Sequence, residues 1–94
     1  MNSKDRAYLR SLANTIEPIF QVGKFGINDN LIKQVNDALD ARELIKITVL
    51  ETAPEDADEV AINLANTTNC IVVQVLGRKI TLYRKRKKDS KINV

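Results

Sequence analysis

The 94-residue sequence has no histidine, no tryptophan and a single cysteine. Without histidine, the commonest general base and the commonest zinc ligand are both missing, so neither a catalytic centre nor a metal site has support. Cys70 stands alone and cannot form an internal disulfide, which accords with a reducing compartment. It reads as a small apolar residue entering a strand. Aromatic residues make up only 4% of the chain, leaving aliphatic side chains to supply the core. No stretch approaches the roughly 18 apolar residues of a membrane span, and the opening MNSKDRAYLR has no apolar run behind its charges. The expectation is a soluble, cytoplasmic protein with no membrane partner. No G-x-x-x-x-G-K-[ST] segment occurs, so nucleotide hydrolysis has no support, and neither a cofactor nor a small-molecule substrate is expected. The length allows one small domain with one core and no cleft between domains.

The formal net charge of +3 is unevenly spread. Residues 1–50 carry seven Lys/Arg and six Asp/Glu, residues 51–69 carry five acids and no base, and residues 70–94 carry eight bases and one acid. That gradient points to a polyanionic partner for the C-terminal portion, against the plainer reading of a solubilising tail. Glu55, Asp56, Asp58 and Glu59 invite a magnesium-site reading. Acids in the first turns of a helix also complement its dipole, which is the preferred account here.

Apolar spacing at Leu9, Leu12, Ala13 and Ile16 predicts a first helix from residue 4 to 14 or 15, capped by Ser3 and ended before Pro18. Residues 19–22 read as a short strand. Asn28 is a natural cap for a second helix through residue 41, with Leu31, Val35, Ala38 and Leu39 as its buried stripe. Residues 44–50 are the clearest strand, with Ile45, Ile47 and Val49 alternating against Lys46 and Thr48. The polar alternate positions predict helices on only one side. Thr52 is expected to cap a third helix with Pro54 in its first turn and Ala57, Val60, Ala61, Leu64 and Ala65 buried. Strands over 70–76 and 79–84 follow, joined at Gly77-Arg78 in a type II′ hairpin.

The predicted fold class is α/β, two-layer, in the order α-β-α-β-α-β-β, with a mixed four-stranded sheet. Right-handed crossovers place the second and third helices together on one face. The other face would present Gln21, Lys46, Thr48, Gln74, Thr81 and Tyr83, with Tyr83 its only obvious aromatic.

The loop Gly23-Lys24-Phe25-Gly26 lies between the first strand and the second helix. Glycine permits positive φ and close approach of another backbone, and the amides of a helix N-terminus favour an anion. A phosphate bound there, with Lys24 as a second contact, is one reading. A turn that needs glycine only for its geometry is the other.

Three separated segments carry a resemblance. Phe20 to Ile27, Ala41-Arg42-Glu43-Leu44-Ile45-Lys46-Ile47, and Gly77-Arg78-Lys79-Ile80-Thr81-Leu82-Tyr83-Arg84 resemble the bacterial YhbY family, the stand-alone CRM (chloroplast RNA splicing and ribosome maturation) domain. The resemblance covers residues 3–84 and implies a fold similar to the C-terminal domain of translation initiation factor three. It implies a CRM-type RNA-binding domain over 1–84; beyond Arg84 the resemblance fades, and charge alone marks 85–94 as a basic tail that no apolar periodicity before Ile92 ties down. It also implies RNA binding through Gly23, Lys24 and Gly26, with Arg42, Lys46, Arg78, Lys79 and Arg84 as supporting basic positions. Phe25, large and apolar at the variable loop position, either stacks on a base or folds back and reshapes the loop. The implied partner is ribosomal RNA in precursors of the large ribosomal subunit, bound by a non-enzymatic assembly protein. The alternative is an adapter that docks on a ribosomal or assembly protein.

Overall fold

The computed structural model describes residues 1–87, 89, 90, 92 and 94. Seven elements follow in the expected order: α1 (Ser3–Ala13), β1 (Pro18–Val22), α2 (Asp29–Arg42), β2 (Leu44–Val49), α3 (Ala57–Thr68), β3 (Ile71–Leu76) and β4 (Lys79–Tyr83). The strands lie side by side as β1-β2-β4-β3. Only β1 and β2 are parallel; β4 pairs antiparallel with both β2 and β3. Pro18, which has no N–H to give a ladder, is tolerated because β1 is an edge strand. Gly77 has φ +61 while Arg78 keeps a negative φ, the pattern of the expected type II′ turn.

The larger core lies where the period of the sequence puts it. Leu31, Val35, Ala38 and Leu39 of α2 and Val60, Ala61 and Leu64 of α3 bury against Val22, Ile45, Ile47, Val49, Ile80 and Leu82 on one face of the sheet. Asn28 caps α2, its side chain accepting from the Leu31 amide at 2.8 Å.

Three expectations give way to the structure. Helix α3 starts four residues later than a Thr52 cap would place it. Asp56 and Glu59 close a reciprocal capping box, the Glu59 amide donating to Asp56 Oδ1 at 2.9 Å and the Asp56 amide to Glu59 Oε1 at 3.3 Å. Satisfying two end amides at once outweighs one threonine, and Pro54 is left in the preceding loop. At α1 the cap is Asn2 rather than Ser3, its Oδ1 accepting from the Asp5 amide at 2.8 Å.

The third difference is that the second face is partly covered. Leu9 and Ala13 of α1 pack on Leu44, Val73 and Tyr83, and Ile92 and Val94 close against the same cluster. Tyr83 is therefore 3% exposed and offers no ring to a base. Burial, with Glu43 and Asp5 nearby, pushes its hydroxyl above the ordinary tyrosine range. Arg6 fixes α1 in place, one guanidinium nitrogen donating to the carbonyls of Val72 (2.7 Å) and Val73 (2.8 Å), where β3 breaks register against β4.

Candidate nucleic-acid interface

Strand register divides the predicted site residues between the two ends of the sheet. Val22 pairs with Val49 and Thr48 with Lys79, so the loop after β1, the loop after β2 and the β3–β4 hairpin share one end. Leu44 pairs with Tyr83 at the other, about 17 Å away along β2. Gly23, Lys24, Phe25, Gly26, Arg78 and Lys79 are at the first end; Arg42 and Arg84 are at the second. Lys46 lies between, half-buried on β2, its Nζ 3.4 Å from the Ile16 carbonyl.

At the first end, residues 23–26 form a tight turn closed by the Gly26 amide donating to the Gly23 carbonyl at 2.9 Å. Lys24 and Phe25 both keep negative φ, as in a type I turn with glycine in its last position. Gly26 has φ +63, and a Cβ there would meet Glu55 Oε2 at 2.8 Å and Pro54 Cγ at 2.9 Å. Its missing side chain thus makes room inside the molecule rather than for an incoming backbone. Gly23 is more open, with Leu50 Cδ1 at 3.9 Å as the nearest neighbour to such a Cβ. The turn pushes Lys24 and Phe25 outward. The Phe25 ring is 80% exposed, with Lys24 Nζ 5.1 Å from its centroid.

The amides at the start of α2 are less available than the sequence suggested. Asn28 takes the Leu31 amide, and Asp29 places a carboxylate in the first turn. Glu55, from the loop before α3, stands against Gly26 with Oε2 buried and without a hydrogen-bond partner. An anion approaching from that side meets negative charge. A groove of about 490 Å3 beside the hairpin is likewise lined by Glu51, Glu55, Asp56, Asp58 and Glu59 together with Arg78. Arg78 pairs there with Glu51 at 3.3 Å, both side chains more than half exposed, so the pair is worth little. The half of the second face that α1 leaves open has a different character. Gln21 and Lys79 are exposed on it, Lys46, Thr48 and Gln74 half-buried, and Leu76 70% exposed.

Arg84 is the clearest departure. Its guanidinium donates to Asn36 Oδ1 (2.7 Å), the Asn36 carbonyl (3.1 Å), Asp40 Oδ1 (2.8 Å) and the Thr68 carbonyl, tying β4 to α2 and to the end of α3. With only 23% of its side chain exposed it is an internal strut. Next to it, Glu43 is fully buried at φ +66, its carboxylate accepting from Ser90 Oγ at 2.7 Å. Arg42 is exposed at the close of α2, far from the turn. Cys70 is half-buried before β3, and desolvation pushes its thiol up, against the opposing effects of the Thr68 hydroxyl and the Arg84 charge.

Sequence reasoning missed Glu55 behind Gly26 and Asn36 beneath Arg84. Neither carries a local signal, because each acts on a residue far along the chain. Leu76 was readable only as the last residue of a strand.

The profile of the CRS1 / YhbY (CRM) domain matches residues 1–84. Over all 94 residues the chain is 45% identical to the "Probable RNA-binding protein YqeI" of Bacillus subtilis, covering 98% of that protein. It is 26% identical over 84 residues to an "RNA-binding protein" of Haemophilus influenzae, covering 89% of this chain and 85% of the other. The solution structure of a hypothetical protein from Staphylococcus aureus superposes with a TM-score of 0.83 at 47% identity, covering 100% of this chain and 98% of that one. With the domain profile spanning nearly its whole length, the chain belongs to the CRS1/YhbY (CRM) domain family.

Proposed function

We propose that this chain is a non-enzymatic RNA-binding protein whose contact surface is the turn end of the sheet and the open half of its second face. Lys24 and Phe25 form the tip. Arg78 and Lys79 extend it along the hairpin, and Lys46 marks its inner limit. The observation that carries the reading is the projection of a cation and an aromatic ring from a turn braced by Gly26, Pro54 and Glu55. The relatives named for RNA binding agree with it. Arg84 is left out of the contact set because its donors are engaged internally, and Arg42 is at most a distant contributor. Gly23 and Gly26 act by shaping the turn. The RNA we propose is ribosomal RNA in precursors of the large subunit, by the resemblance of the three motif segments to the YhbY family, and the place of action is the cytoplasm.

Salt titration tests the reading. With about four to five basic groups on phosphates, the logarithm of the association constant should fall with the logarithm of salt concentration with a slope of about −3 to −4.5. Exposed Phe25 and Leu76 also favour a second reading, an adapter seated on a ribosomal or assembly protein. A flat salt response on ribosomal RNA fragments would select the adapter.

A further inference from the structure

Phe25 is the largest apolar side chain that the fold leaves almost wholly in water. A partner that covers such a ring removes its apolar surface from water and gains the burial the fold forgoes. The turn that carries the ring is also held in advance. The Gly26–Gly23 hydrogen bond closes the turn, Gly26 adopts a left-handed φ that most residues avoid, and Pro54 and Glu55 stand directly behind it. Less conformational freedom then remains to be lost on binding.

The chemistry around the tip narrows what can cover it. Asn28, Asp29 and Glu55 disfavour an anion pressed into the base of the turn, so phosphate is left to the outward-facing Lys24. What the tip offers is one π-face and one cation, the complement of a single nucleotide with its base unstacked and its phosphate alongside. An A-form duplex cannot use this. Its bases are stacked face to face, and its major groove is too deep and narrow for a side chain to enter. Unpaired bases in loops and bulges expose the face that a phenyl ring needs.

Resting on the RNA-binding reading above, we infer that the Lys24–Phe25 tip binds an unpaired nucleotide, with Phe25 stacking on its base and Lys24 meeting its phosphate, which makes RNA loops, bulges or single strands the ligand class rather than continuous helix.

The test uses the full chain and three RNAs: a hairpin with an adenosine-rich loop, a blunt duplex of the same stem sequence, and an oligoadenylate. The wild-type protein is expected to bind hairpin and oligoadenylate about tenfold or more tighter than duplex. Phe25→Ala should weaken those two about 5- to 150-fold, the span of one base–aromatic stack, and leave duplex binding unchanged. Phe25→Trp should retain binding. A 2-aminopurine placed in the loop should be quenched by the wild-type protein and not by Phe25→Ala, and a urea melt should show the variant as stable as the parent because the ring is outside the core. If Phe25→Ala bound all three RNAs like the wild type while Lys24→Glu still weakened them, the stacking inference would be overturned and the RNA-binding reading would stand. If no RNA bound the folded wild-type protein, both would fall.

Discussion

Both ends of the sheet carry basic side chains and use them in opposite ways. At the turn end Lys24 and Lys79 are exposed, and Arg78 has one loose pair with Glu51. At the other end Arg84 makes four hydrogen bonds to three residues, and Glu43 is sealed from solvent. A cation's availability is set by the groups around it and not by its place in a charge tally. Arg84 and Glu43 at the second end are part of the domain's framework, whereas the exposed cations at the first can be altered without disturbing it.

The largest expected effect of this contrast is on stability. Arg84→Met removes donors from the buried Thr68 carbonyl and from Asn36, and charge-assisted bonds of this kind each contribute about 1.5–3 kcal/mol. A loss of about 2–3 kcal/mol in urea unfolding is expected, with RNA affinity of the folded fraction nearly unchanged. An affinity loss without a stability loss would move Arg84 back into the contact surface.

The two loop glycines sharpen the comparison within one turn. Gly26→Ala meets both strained φ and occupied space, so a destabilisation of about 1–2 kcal/mol is expected. Gly23→Ala has neither problem and should cost no more than about 0.5 kcal/mol. Equal costs in thermal or urea melts would mean that Pro54 and Glu55 do not brace the turn.

How far the sequence could be read follows the same division between local and long-range causes. Helix α2, strand β2 and the Gly77-Arg78 hairpin were legible because cap, period and turn chemistry all act within a few residues. The beginning of α3 was misplaced through weighing Thr52 above the reciprocal pair Asp56 and Glu59. The cover over the second face was missed because polar Lys46 and Thr48 mask Leu44, Val73 and Tyr83, which come together only once β2, β3 and β4 are paired. The turn that carries Lys24 and Phe25 was legible because glycines flank them. For Arg84 the sequence shows the charge and hides the acceptors, Asn36, Asp40 and Thr68.

The central claim is that the turn tip, and not basic charge at large, holds the RNA. Its most direct test is the affinity of Lys24→Glu for a hairpin RNA, beside Lys33→Glu as a charge-matched control on the exposed side of α2, where Lys33 pairs with Asp37 at 3.0 Å. Reversing a charge near a phosphate should cost about 2–3 kcal/mol, or roughly 30- to 150-fold in affinity, with urea stability moving by no more than about 0.5 kcal/mol. Lys33→Glu should bind within about threefold of the wild type. Equal losses at the two positions would contradict the account.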